Sequence, residues 1–210
     1  IMASTTPNFD ATWKKFPHSL LAASGLAVGL PEGQMGNSEI GHSTIGAGTV
    51  IDTDLVRIGK AIDSGEYEKN PAFTALFDHV KKNNSTLHVQ GLVSTGGVHS
   101  HQDHLFAFLK AAKKAGIPRV AIHVFTDGRD TGPQTAGHYI ASLEAVLHEI
   151  GIGFIASVSG RFYAMDRDNN WDRLQKVEQA LFECKGNVCT LTPSDYVTNL
   201  YTEGTLDEHL

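Results

Sequence analysis

The sequence predicts an α/β fold in three layers, built around a mainly parallel sheet. Three strand-like runs, at residues 86–94, 119–125 and 153–160, each lead through a glycine-containing loop into a helix-like segment. Strands that alternate with helices of this length favour right-handed crossovers and parallel pairing. No internal repeat or low-complexity tract interrupts the alternation, so we expect one parallel sheet from residue 51 onward.

The helices are predicted from apolar residues spaced three and four positions apart. In "NPAFTALFDHVKKNN", Asn70 is suited to cap a helix and Pro71 to occupy its first position. One apolar stripe follows on Phe73, Leu76, Phe77 and Val80. The other predicted helices are "DTDLVRIGKAIDSG", "DHLFAFLKAAKKAG", "TAGHYIASLEAVLHEIG" and "WDRLQKVEQALFECKG".

The composition of the chain argues against several classes of function. With 41% hydrophobic residues the chain can bury a core, and its net charge of -6 without a cluster of lysine and arginine argues against nucleic acid as a partner. The chain has no apolar run of about 18 residues and no signal-peptide pattern, so we expect neither a membrane partner nor secretion. The only cysteines, Cys184 and Cys189, exclude a disulfide scaffold and predict reduced thiols in a cytoplasmic protein.

Charged residues collect where the predicted strands end. Ligands of open α/β sheets bind beyond the carboxyl ends of the strands, and three of the six arginines (Arg129, Arg161 and Arg167) fall in those loops. Because the planar guanidinium suits carboxylate and phosphate, this pattern predicts a small ligand with several negative charges. The same loops contain His99, His101, Asp127 and Asp130.

The first 50 residues differ in character, being rich in Gly, Ser and Ala. Ser38 lies in a predicted loop between Asn37 and Glu39, with glycines two positions before it and three after it. A serine in such a loop can act as a nucleophile if a metal or a base lowers its pKa. It can equally be a turn residue, and the local pattern alone leaves both interpretations open.

The histidine-rich segment "HSHQDH" has the H-x-H-x-D-H spelling of the metallo-β-lactamase superfamily. In that interpretation His99, His101, Asp103 and His104 would hold zinc in a hydrolase. That superfamily packs two mixed sheets face to face, whereas this chain alternates strands and helices. We therefore prefer Asp103 and His104 as the opening of the next helix, with the zinc hydrolase as the alternative function.

Four longer motifs occur in a fixed order: "LPEGQMGNSEIGH", "LVSTGGVHSHQDHL", "TDGRDTGP" and "GRFYAMDRDNNWDR". Together they resemble the cofactor-independent (2,3-bisphosphoglycerate-independent) phosphoglycerate mutases, over essentially the whole chain. The resemblance implies an alkaline-phosphatase-like domain with an inserted α/β domain. Residues 1–50 would be an edge of the former with the nucleophile loop, and residues 51–210 would be the inserted substrate-binding domain, incomplete at its C-terminus.

The resemblance also implies a reaction and a set of roles. The family interconverts 3-phosphoglycerate and 2-phosphoglycerate in glycolysis and gluconeogenesis through a phosphoserine intermediate. Ser38 would be the nucleophile and a metal ligand, and Asp130 would be the general acid or base. The implied substrate ligands are His99, Arg129, Asp130, Arg161 and Arg167.

The family resemblance further implies two Mn²⁺ ions (or Mg²⁺ or Co²⁺) in a monomeric, cytoplasmic enzyme. Of the implied metal ligands this sequence contains only Ser38, so we expect the chain alone neither to retain the metals nor to catalyse the reaction. A binding module that senses a phosphorylated acid is the third hypothesis. Thr95 and Thr126 depart from the family pattern, but neither replaces a group with an implied chemical role.

Overall fold

The computed structural model describes residues 4–210. Contacts divide the chain into two compact units, residues 1–56 and residues 57–210, and each is described by itself. Within the described residues, no helix is both long and apolar enough to cross a membrane.

The first unit has little buried apolar surface. Its elements are α1 (Pro7–Lys15), a 3-10 turn (Gly25–Val28), α2 (Ser38–Ala47) and the start of α3 (Asp54–Asp63). Leu30 and Val56 are its only buried large apolar side chains among residues 4–56. The segment before α2 is held by backbone, since the Gly36 N–H donates to the Ala23 carbonyl at 3.0 Å. A Cβ at Gly36 would lie 2.2 Å from that oxygen, so the approach requires glycine.

The second unit contains the predicted alternation. The elements after α3 are a 3-10 turn (Tyr67–Lys69), α4 (Pro71–Lys82), β1 (Leu87–Leu92), α5 (Gln102–Lys114), β2 (Val120–Thr126), α6 (Ala136–Ile150), β3 (Phe154–Gly160), α7 (Arg161–Ala164), α8 (Trp171–Glu183), α9 (Pro193–Tyr201) and a 3-10 turn (Asp207–His209). The three strands pair in the order β1–β2–β3, all parallel, which confirms the predicted α/β fold with a parallel sheet. The crossover helices α5 and α6 pack against each other, as right-handed crossovers between sequential neighbours require.

Alternate residues of the central strand enter the apolar core. Val120, Ile122 and Val124 of β2 are at most 1% exposed, because β2 is paired on both edges and covered by helices. The helical side chains of this core include Phe77 and Val80 of α4, Leu109 of α5, and Ile140 and Leu143 of α6. This rigid core fixes the carboxyl ends of the strands.

A row of polar side chains crosses the sheet from β1 to β3. His88 Nδ1 lies 2.9 Å from His123 Nε2, and His123 Nδ1 lies 2.8 Å from Ser157 Oγ. Burial, followed by the neighbouring His88 ring, lowers the pKa of His123. The neutral imidazole of His123 is therefore the form that suits the folded chain.

The predicted helix starts are largely confirmed. The Asn70 side chain accepts the Ala72 N–H at 2.9 Å, with Pro71 at the first helical position. His101 caps α5, which places Asp103 and His104 in its first turn, as expected. The helix α9 and the single helical turn α7 are additional to the predicted helices.

The segment at residues 207–210 packs on the carboxyl edge of the sheet through a buried aspartate. The Asp207 carboxylate accepts the N–H groups of Thr135 and Ala136 at 2.8 Å and the Tyr201 hydroxyl at 2.6 Å. Its carbonyl accepts the Thr126 hydroxyl at 2.6 Å. Asp207 thereby joins the start of α6 to the end of β2, next to the loop that contains the candidate site.

Candidate active site

Three loops meet at the carboxyl ends of the parallel strands. Ser94 and His99 follow β1, Asp127 and Asp130 follow β2, and Arg161 follows β3 directly. Parallel pairing aligns the three strand ends, so side chains up to 67 positions apart in the sequence are brought together. The sequence predicted this convergence for His99, Asp130 and Arg161.

Asp127 is the fixed centre of this site. Its carboxylate accepts the Ser94 hydroxyl at 2.6 Å and the backbone N–H groups of Arg129 and Asp130 at 3.2 and 2.9 Å. Burial raises the pKa of Asp127, but the bonds from Ser94, the Asp130 N–H and Arg161 outweigh burial and hold that pKa below its usual value. Asp127 is therefore an ionised carboxylate with little freedom to move.

Arg161 joins both aspartates through a single nitrogen. Its Nη1 lies 2.6 Å from Asp127 Oδ1 and 2.7 Å from Asp130 Oδ2. Burial lowers the pKa of Arg161, and the bonds to Asp130 and Asp127 outweigh it and raise that pKa. The Nε2 of His99 lies 3.8 Å from Asp130 Oδ2, which is longer than a hydrogen bond.

The loop after β1 reaches the aspartates because Gly96 has no side chain. A Cβ at Gly96 would lie 3.0 Å from the Asp130 Cβ and 3.1 Å from Asp127 Oδ2. Its N–H donates to the Ser94 hydroxyl at 3.1 Å, and Ser94 donates to Asp127. The absence of a side chain at Gly96 therefore lets the loop that contains His99 lie against the loop that contains Asp130.

The two other predicted arginines are in a different state from Arg161. Arg129 and Arg167 are exposed, and neither guanidinium has a hydrogen-bond or ion-pair partner within residues 4–210. The loop of Arg167 is held by Asp166, which accepts from Asn170 at 2.8 Å and from Arg173 at 3.1 Å. Both arginines remain available to an anionic ligand.

Ser38, in the first unit, lies at the first position of α2, so the predicted loop is wrong at this residue. The Asn37 side chain accepts the Ile40 N–H at 3.0 Å and starts the helix there. A helix N-terminus favours negative charge on the serine oxygen. The Nδ1 of His42 lies 2.7 Å from the Ser38 carbonyl and 3.2 Å from its hydroxyl. Because a carbonyl only accepts, Nδ1 carries the hydrogen and is not a base for Ser38.

The histidine cluster does not form the zinc site of the alternative hypothesis. His101 caps α5, Asp103 is exposed, and His104 lies in the helix, where burial and then the His101 ring lower its pKa. Among residues 4–210, no three His, Cys, Asp or Glu side chains are arranged to hold a metal ion. Cys184 and Cys189 are both free.

A comparison with family models decides the family. The model described as the N-terminus of BPG-independent phosphoglycerate mutase (PGAM) matches residues 58–210, more than half of the chain. The chain belongs to the 2,3-bisphosphoglycerate-independent phosphoglycerate mutase family. The family resemblance predicted from the four motifs is thus confirmed, and the zinc-hydrolase alternative is not supported.

Individual members of this mutase family are similar to the chain in sequence. The 2,3-bisphosphoglycerate-independent phosphoglycerate mutase of Clostridium kluyveri is 51% identical over 210 residues, which is 100% of this chain and 41% of the relative. The enzyme of the same name from Listeria innocua is 52% identical over 186 residues, or 89% of this chain and 36% of the relative. The chain therefore spans about two fifths of the length of these curated relatives.

A solved member of the family supports the fold. The Leishmania mexicana phosphoglycerate mutase, crystallised at low cobalt concentration, matches with a TM-score of 0.79 and 32% identity. The match covers 99% of this chain and 39% of the other.

Sequence reasoning gave no role to two residues that organise the site. Ser94 ends an apolar run and resembles any strand-end serine, and its bond to Asp127 spans 33 positions. The Asp207 carboxylate accepts hydrogen bonds from residues more than 70 positions away in the sequence. The start of α2 did have a local signal, because Asn37 is a suitable N-cap residue.

Proposed function

We propose that the protein to which this chain belongs interconverts 3-phosphoglycerate and 2-phosphoglycerate through a phosphoserine intermediate. In this proposal residues 57–210 bind the glycerate and residues 1–56 supply the nucleophile. The predicted division into an edge of a phosphatase-like domain and an inserted domain is part of the proposal. The names of the relatives and the arginine-centred strand-end site support it.

Each residue of the strand-end site has a proposed task. Arg161 donates to the carboxylate or phosphate of the substrate, and exposed Arg129 and Arg167 add donors from adjoining loops. His99 contacts the bound substrate. Asp130 takes up a proton from water, gives it to the glycerate oxygen that leaves phosphorus, and then takes the proton of the hydroxyl that next attacks.

Ser38 is the proposed nucleophile. Its hydroxyl gives its proton to water, and its oxygen forms the new bond to phosphorus as the bond between phosphorus and the first glycerate oxygen breaks. The phosphoserine later returns the group to the other glycerate oxygen, and the serine oxygen takes up a proton from water. The N-terminus of α2 favours the negative charge that this serine acquires. Reorientation of the glycerate between the two steps needs a site that holds it through a charged group, as Arg161 would.

The family implies two manganese ions, and the described residues do not by themselves fit such a centre. Ser38 is the only implied ligand in this chain, and residues 4–210 contain no set of three side chains able to hold a cation. A metal centre therefore needs ligands in addition to these residues, and we derive no step through it.

One observation carries the proposal: Arg161 lies beside two aspartates and a histidine at the ends of three parallel strands. The test is a calorimetric titration of the 210-residue chain with 3-phosphoglycerate in EDTA. We expect saturable binding that Arg129→Ala weakens by about tenfold, since one charge-assisted contact is lost.

The matched control is Arg119→Ala, because Arg119 is also exposed but lies before the amino end of β2, where its guanidinium contacts the Asn84 carbonyl. That variant should bind 3-phosphoglycerate as the parent chain does. Equal weakening in both variants would show that binding depends on overall charge, and would count against the proposed site.

A further inference from the structure

The two carboxylates that share Arg161 are held very differently. The Asp127 side chain is 1% exposed and accepts three hydrogen bonds besides the one from Arg161. The Asp130 side chain is 17% exposed, and within residues 4–210 its carboxylate accepts a hydrogen bond only from Arg161. Four hydrogen bonds therefore hold the Asp127 carboxylate, whereas one holds that of Asp130.

The charges at Arg161 oppose the binding of an anion while Asp130 stays in place. One guanidinium carries a formal charge of +1, and Asp127 and Asp130 together carry -2. Both bonds also go to Nη1, whose two hydrogens they occupy. An arriving carboxylate or phosphate thus meets a like charge and finds the Nη1 hydrogens engaged, which leaves only the hydrogens of Nη2 and Nε to donate.

We propose that the Asp130 carboxylate occupies the place of the substrate anion on Arg161, and that substrate binding exchanges one for the other. The exchange rests on the proposed function in taking Arg161 as the anion ligand. The released Asp130 has His99 within reach, since His99 Nε2 already lies 3.8 Å from the same oxygen. Binding of the anion thereby frees the carboxylate that has to meet the glycerate hydroxyl.

The exchange makes an unusual prediction about the sign of a mutational effect. A residue that only contacts the ligand weakens binding when it is removed, whereas a competitor for Arg161 strengthens it. Inorganic sulfate is the probe, because it has no hydroxyl for Asp130 to contact. In the 210-residue chain at 0.15 M salt, Asp130→Asn should bind sulfate about tenfold more tightly, as expected when one competing charge-assisted bond is lost.

Asp168→Asn is the matched control, because it removes one negative charge from an exposed residue beside Arg167. An equal gain in both variants would mean that sulfate responds only to net charge, and would overturn the exchange. Unchanged or weaker sulfate binding by Asp130→Asn would also overturn the exchange. If the sulfate binding nevertheless disappears with Arg161→Lys, the anion site of the proposed function survives.

Carbon-13 NMR of the unmodified chain supplies a test that needs no folded variant. Sulfate saturation should shift the carboxylate carbon of Asp130 and leave that of Asp127 nearly unmoved. An unmoved Asp130 signal at sulfate saturation would overturn the exchange but not the proposed anion site. Sulfate binding by neither the parent chain nor Asp130→Asn would contradict both the exchange and the proposed anion site.

Discussion

Arg161 and Asp127 form an ion pair with 2.6 Å between Nη1 and Oδ1, and both side chains are buried. The pair ties the end of β2 to the start of α7, directly after β3. A buried charge that loses its partner is expensive, because neither water nor another group replaces the lost bond. Stability and ligand binding should therefore depend on the same contact.

Removing the carboxylate of this pair should destabilise the chain strongly. Asp127→Ala removes the acceptor of four hydrogen-bond donors, although Arg161 keeps its bond to Asp130, so we expect the free energy of unfolding to fall by about 3–5 kcal/mol. Urea unfolding at pH 7 measures it. The control is Lys81→Ala, whose ion pair with Asp78 is exposed and should contribute at most about 1 kcal/mol. Similar losses in the two variants would contradict the importance of the buried pair.

The lowered pKa of His123 predicts that mild acid destabilises the chain. The pKa of a histidine in the unfolded chain is about 6.5, and burial and His88 lower the pKa of His123 in the folded state. Around this pH the unfolded chain therefore binds more protons than the folded chain does. The free energy of unfolding should consequently decrease as the pH falls below about 6.5.

Unfolding between pH 8 and pH 5 tests this dependence in the parent chain and in His123→Gln. The variant should show a shallower dependence on pH, whatever its stability at pH 8. His104 also has a lowered pKa, so part of the slope should remain. The exposed His148 provides the control, and an identical slope in His123→Gln and His148→Gln would refute the assignment.

Gly160 should be intolerant of even one methyl group. Its φ of -69° suits any residue, but a Cβ there would lie 2.2 Å from the Glu208 carbonyl oxygen. Gly160→Ala should therefore force residues 208–210 away from β3 and cost about 1–3 kcal/mol. Gly59→Ala is the opposite case, because α3 leaves open space around Gly59, and it should stabilise by up to about 1 kcal/mol. Urea unfolding of both decides whether space at residue 160 is limiting.

The hydroxyl of Tyr201 should contribute to the free energy of unfolding. It donates to Asp207 at 2.6 Å and accepts the Gly137 N–H at 3.0 Å, and burial and Asp207 raise its pKa. Tyr201→Phe leaves both partners unsatisfied, and we expect a loss of about 1–3 kcal/mol on thermal or urea unfolding. Tyr196→Phe on the same helix removes a hydroxyl that has no hydrogen-bond partner among the described residues. A loss as large in Tyr196→Phe would contradict this account.

Local patterns predicted the elements that depend on local physics. β1 and β3 lie within the predicted runs, β2 extends one residue beyond its run to Thr126, and Asn70 and Pro71 start α4 as expected. The same rules would have found α9, since Thr192 caps it, Pro193 fills its first position, and Asp195 donates its N–H to the Thr192 hydroxyl. The sequence therefore contains the signals for this helix.

The site was predictable only in outline. Parallel strands bring their carboxyl ends to one edge, so the convergence of His99, Asp130 and Arg161 followed from topology. The different states of the arginines did not, because burial of Arg161 and exposure of Arg129 are set by contacts between distant segments. The roles proposed for Ser38 and for the substrate ligands remain predictions.

The most direct test of the central claim is a crystal structure of this chain soaked with 3-phosphoglycerate. The account predicts that a carboxylate or phosphate oxygen lies within about 3.2 Å of a guanidinium nitrogen of Arg161. It also predicts that Asp130 has left Nη1 while Asp127 has not. Substrate bound elsewhere, with Arg161 still joined to both aspartates, would contradict it.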